Sequence, residues 1–96
     1  MKATMQQEAY ANVWDAIGDT PEEAANLRAR AQLMHQISEL VKSKRWKQTE
    51  AARHCGVTQP RLNDLLRGRI SRFSLDALVN IATSLGQRVK IEIEAA

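Results

Sequence analysis

The sequence predicts an all-α domain closed by one terminal strand. Apolar residues recur at helical spacing through most of the chain. Three of these runs follow a capping threonine or serine, and each ends at a glycine or a basic turn. Only in the terminal "RVKIEIE" does the period fall to two. With 96 residues there is material for one domain with a single modest core.

Each element has a local reason. Residues 1–9 carry no periodicity, whereas Tyr10, Val13, Trp14 and Ile17 fall at helical spacing, a short amphipathic helix stopped by Gly18. "TPEE" opens the next helix: Thr20 caps it, Pro21 suits the first helical position, and Glu23 stands where a capping box takes an acid. That helix runs to about Lys44, with Leu27, Ala31, Met34, Ile37, Leu40 and Val41 as its buried stripe. Trp46 is expected as core at the following junction.

A helix beginning near Gln48 has small residues, Ala51 and Ala52, where a neighbour must come close, and Gly56 ends it. Thr58 caps the next helix, Gln59 to about Arg67, with Pro60 in its first turn, where a missing N–H breaks no intrahelical bond. Gly68 stops it, and the basic "RISR" follows. Ser74 then caps "LDALVNIATSL", with Phe73 and Leu78 placed to form a hydrophobic staple. Leu75, Leu78, Val79, Ala82 and Leu85 line one face, and Gly86 closes the helix. Val89, Ile91 and Ile93 alternate with charges, as in a half-buried strand.

Composition narrows the functional classes. Hydrophobic residues make up 44% and charged residues 26%, as in a soluble globular protein. No apolar run approaches the roughly 20 residues that cross a bilayer, and "MKATMQQEAY" lacks the apolar centre of a secretory signal. A cytoplasmic protein with no membrane association is expected. Its single cysteine, Cys55, excludes an internal disulfide and fits a reducing compartment.

The charge, +3 overall, is unevenly spread. Lys42 to Arg72 holds nine basic residues against Glu50 and Asp64, a net of +7. Met1 to Leu27 holds Lys2 against five acids, a net of −4. A basic middle beside an acidic end points to a polyanion for the middle.

"QTEAARHCGVTQPRLNDLLRG" places two helices one turn apart. Take Gln48 as the first position: the fifth is Ala52, at a helix crossing, and the ninth is Gly56, at the turn. Cys55, Val57, Leu62 and Leu65 face inward and lock the pair. The outer face of the second helix, with Gln59, Arg61, Asn63, Asp64 and Arg67, is left to project into a major groove.

These residues resemble the helix-turn-helix of the lambdoid phage repressor and Cro class, the Xre-type family. The resemblance covers nearly all the chain after residue 10, and is narrowest to HigA-like antitoxins and related regulators. It implies an all-α, five-helix lambda-repressor-like helix-turn-helix domain over residues 21–86. A short N-terminal helix in an arm of residues 1–20 would precede it, and a C-terminal β-strand used for dimerisation, residues 87–96, would follow. It also implies roles. Gln48 starts the first motif helix and binds phosphate. Gln59 reads a base, since a glutamine there can bond adenine N6 and N7. Arg61 is the second reader, Asn63 contacts backbone, and Arg67, Arg69 and Arg72 suit flanking phosphates. Lys47 and Thr58 complete the expected DNA-binding set. Lys47 stands where many relatives carry a capping threonine, and Pro60 removes one reader. Asp64 is expected to orient Arg61 or Arg67, or to cap locally, rather than to accept from cytosine.

A lone strand leaves its backbone unpaired. An antiparallel match with a second copy centred on Ile91 sets Arg88 against Glu94 and Lys90 against Glu92, so a homodimer through Val89, Ile91 and Ile93 is expected. It would set two recognition helices roughly 34 Å apart on an inverted-repeat operator. The stripe bearing Trp14 and Ile17 either folds back as core or docks a partner, which the resemblance would make a small mRNA-cleaving toxin.

Catalysis is not expected. His54 and Cys55 are adjacent, so their side chains diverge on a helix, and no spacing resembles a zinc site. No cofactor or metal is expected either. The expected function is a sequence-specific DNA-binding transcriptional regulator, a repressor, with the antitoxin of a type II toxin-antitoxin pair as its narrower form. Its alternative is a protein-interaction module of the same fold that neutralises a partner without DNA.

Overall fold

A computed structural model describes residues 20–96. Over them the chain forms four α-helices: α1 (Pro21–Lys44), α2 (Gln48–Cys55), α3 (Gln59–Leu66) and α4 (Leu75–Ser84). A 3-10 turn, Ile70–Arg72, lies between α3 and α4. The all-α expectation fits this architecture. The five-helix expectation for residues 21–86 is corrected to four, because the segment after α3 closes only a single three-residue turn. The short helix expected around Tyr10 to Ile17, with Trp14 and Ile17 as partner contacts, lies outside the described residues.

The capping side chains act where the sequence places them. Thr20 Oγ1 accepts from the Glu23 N–H at 3.1 Å, Thr58 Oγ1 from the Arg61 N–H at 3.3 Å, and Ser74 Oγ from the Ala77 N–H at 3.1 Å. Each satisfies one of the donors that a helix start leaves without an intrahelical partner. Helix α1 ends without a glycine: Arg45 itself takes the left-handed conformation, φ 57°, and turns the chain toward Trp46.

One core joins all four helices. Met34, Ile37 and Val41 come from α1, Ala51, Ala52 and Cys55 from α2, Leu62 and Leu65 from α3, and Leu78, Ile81 and Ala82 from α4, with Phe73 from the turn. Leu62, Leu65 and Leu78 have no exposed surface. Ser38 is also buried, and its hydroxyl donates to the Leu65 carbonyl at 3.4 Å, tying α1 to α3. Trp46 is half-buried against this core and stacks on His54, ring centroids 4.0 Å apart.

The expected C-terminal strand is absent. Residues 87–96 form no ladder, because a single extended segment has no second backbone edge among the described residues to bond with. Val89 packs against the core, while Ile91 and Ile93 are 74% and 98% exposed. Lys90 and Glu92, expected to face each other across two copies, pair within the chain at 3.2 Å. The alternation of apolar and charged residues is real, but only its first apolar member finds cover.

Candidate nucleic-acid interface

Helix α2 packs chiefly on α3, and the joint between them is set by Gly56. Its φ of +72° is one that side-chain-bearing residues adopt at a cost. A Cβ there would also stand 3.0 Å from Ser84 Oγ of α4, so the glycine serves a close approach as well as a turn. The Val57 N–H bonds back to the Ala52 carbonyl at 3.0 Å, completing the reversal within two residues. With Leu62 and Leu65 fully buried, α3 can sit in only one rotation about its axis.

That rotation decides what α3 presents. Gln59, Asn63 and Arg67 recur at i, i+4 and i+8 and share one outward stripe. Gln59, Pro60 and Arg67 are exposed and Asn63 is partly so. Thr58 is exposed too, with its hydroxyl engaged as the cap.

Arg61 is placed differently. Two residues beyond Gln59 it projects about 200° round the helix, and its side chain is used within the protein. Its Nη1 donates to the Arg72 carbonyl at 3.0 Å, and its guanidinium lies over the Phe73 ring, 4.4 Å from the centroid. Its polarity grouped it with the outward residues and missed this lock between α3 and the turn.

The basic loop is braced from its other side by Arg30 of α1. Its Nη1 donates to the carbonyls of Ile70 (3.3 Å) and Phe73 (3.1 Å), while its Nε donates to Asn26 Oδ1 at 2.7 Å. No local pattern marks this bracing role, since the two carbonyls it reaches lie some forty residues away. Asp64 completes the framework. Its Oδ1 accepts from Arg69 Nη1 at 2.9 Å and its Oδ2 from Arg72 Nη1 at 3.1 Å, so it orients Arg69 and Arg72 rather than Arg61 or Arg67. Desolvation pushes this carboxyl upward, but the hydrogen bonds and charges of Arg72 and Arg69 outweigh it and hold Asp64 below the ordinary carboxylate range.

At the start of α2, Lys47 and Gln48 are both exposed. The Lys47 N–H donates to Glu50 Oε1 at 3.3 Å, which is half of a capping box. An ammonium has no acceptor with which to supply the other half, so the first backbone donors of α2 have no side-chain cap.

A family model described as a helix-turn-helix domain matches residues 16–94. The chain belongs to that helix-turn-helix family. No curated protein matches it. In a helix-turn-helix domain the second helix of the motif is the one that enters the major groove, and here that helix is α3. The domain therefore holds a helix-turn-helix DNA-binding unit, and the outward stripe of its second helix carries Gln59, Asn63 and Arg67.

Cys55 is 1% exposed and burial pushes its thiol up, away from the nucleophilic thiolate. His54 is stacked on Trp46. Among the described residues no group of three or more His, Cys, Asp or Glu side chains is placed to hold a metal ion. None of the described helices is long and apolar enough to cross a membrane.

Proposed function

We propose that this helix-turn-helix protein is a sequence-specific transcriptional regulator, a repressor of the Xre type, and not an enzyme. The observation that carries the reading is the orientation of α3. Its Leu62 and Leu65 are fully enclosed, and its Gln59, Asn63, Arg67 stripe is left clear for base edges and phosphates. Gln59 is the base reader. Lys47, Arg67, Arg69 and Arg72 neutralise phosphates on either side, and the uncapped backbone donors of Gln48 and its neighbours hydrogen-bond phosphate oxygens. Arg61 acts through the turn it holds rather than by touching DNA.

The working form we propose is a homodimer on an inverted repeat. It is supported by the exposed apolar side chains of Ile91 and Ile93, for which a second copy provides cover. The narrower antitoxin reading rests on the acidic first part of the chain, net −4 over residues 1–27, which complements a small basic toxin.

The test is binding of purified protein to duplexes selected from a randomised library. With about eight phosphates contacted, log K falls against log salt with a slope near −7. Gln59→Ala lowers affinity for the selected sequence by about 1–3 kcal/mol and leaves random-sequence binding unchanged. A flat salt response sinks the reading in favour of a module that binds protein alone.

A further inference from the structure

Asp64 is out of place on a surface built to meet phosphate. It stands on the recognition helix, and its own charge repels a polyanion. Its side chain is only 14% exposed, against 41% for Arg69 and 57% for Arg72. Both carboxylate oxygens are occupied, one by each guanidinium. The backbone beneath is fixed as well: the Arg69 N–H bonds the Asp64 carbonyl at 3.0 Å, and the Arg72 carbonyl takes the Arg61 guanidinium. The two arginines are therefore held at root and tip, with their remaining N–H groups aimed in directions set by α3.

Long basic side chains that swing freely can follow the backbone of any duplex, and they supply most sequence-independent affinity. Held arginines cannot. They meet phosphates in good geometry only when α3 has settled to the depth and angle that its stripe allows. On other DNA the carboxylate keeps them, and phosphate has to compete for them.

We propose that Asp64 is a specificity-determining residue, which by restraining Arg69 and Arg72 suppresses binding to arbitrary DNA while leaving them available at the correct site. The inference rests on the DNA-binding reading above. Its mark is a fall in the ratio of selected-site to random-sequence affinity when Asp64 is neutralised.

The experiment compares wild type, Asp64→Asn and the arginine pair variant R69Q/R72Q on two duplexes. One is of random sequence and the other is a sequence recovered by selection. Asp64→Asn should bind random duplex about tenfold more tightly at 50 mM salt, with a slope steeper by about one, and gain much less on the selected duplex. Unchanged or weaker random-sequence binding overturns the proposal. So does a gain of the same size when Asp64→Asn is made on the R69Q/R72Q background, since that gain would come from charge removal alone.

The pair variant gives a reading even where Asp64→Asn fails to fold. It should lose about tenfold on the selected duplex and under about threefold on the random one. An equal loss on both overturns restraint by Asp64. Wild-type protein with no salt-dependent binding to either duplex would instead end the DNA-binding reading itself, whatever the variants do.

Discussion

The turn between α2 and α3 and the segment Gln87–Ala96 carry equally regular sequence patterns, yet only the first became what its pattern describes. Around Gly56 every requirement is met within the chain. The left-handed turn has its glycine, the buried faces have each other, and Thr58 supplies the cap. The tail has the alternation of a strand, but its hydrogen bonds need a neighbour that the described residues do not provide. A pattern with a period of 3.6 calls for a core that the same chain can build. A pattern with a period of two calls for an edge as well.

The contrast can be broken most severely at its enclosed side. Leu62→Ala leaves a cavity under the recognition helix where no surface is exposed, and should cost about 2–5 kcal/mol in denaturant unfolding. Gly56→Ala comes next, at about 1–2 kcal/mol, from the forced left-handed conformation and the approach to Ser84. Adding Ser84→Ala should recover the part due to contact and leave the part due to backbone. The tail should behave oppositely. The double change I91S/I93S should move unfolding stability of the monomer by less than about 0.5 kcal/mol, while lowering the sedimenting mass of the proposed dimer.

The smallest effect is at Asp64. Its folded carboxyl is held below the ordinary range, so its stabilisation is fully present above the unfolded pKa and lost as pH falls through the folded one. Unfolding followed against pH should show a shallower acid limb for Asp64→Asn than for wild type, with the two curves converging at the acid end. Curves that stay parallel would mean that the pairing contributes nothing to the fold.

What was legible in the sequence was what is local. Thr20, Thr58 and Ser74 cap the helices they precede because a cap and its donor lie three residues apart. Gly56, Gly68 and Gly86 take positive φ where the apolar periodicity stops. The inward residues of the motif, Cys55, Leu62 and Leu65, followed from the spacing of two helices one turn apart.

What escaped was mostly long-range or rotational. Ser38 and Ile81 are buried because of what crosses them. Arg30 reaches across to the turn. Asp64 pairs with residues beyond the end of its helix. Arg61 was grouped with Gln59 because both are polar, although helical geometry sets them on opposite sides.

The position of Arg61 bears on how a mutational scan of this helix would be interpreted. Replacing it with alanine removes a hydrogen bond to one end of the loop and a cation from above a buried ring. On the reading proposed above, a resulting drop in DNA binding would report a slackened scaffold. Any attempt to retarget the protein by exchanging that side chain would alter how firmly the reading head is mounted before it altered which letters are read.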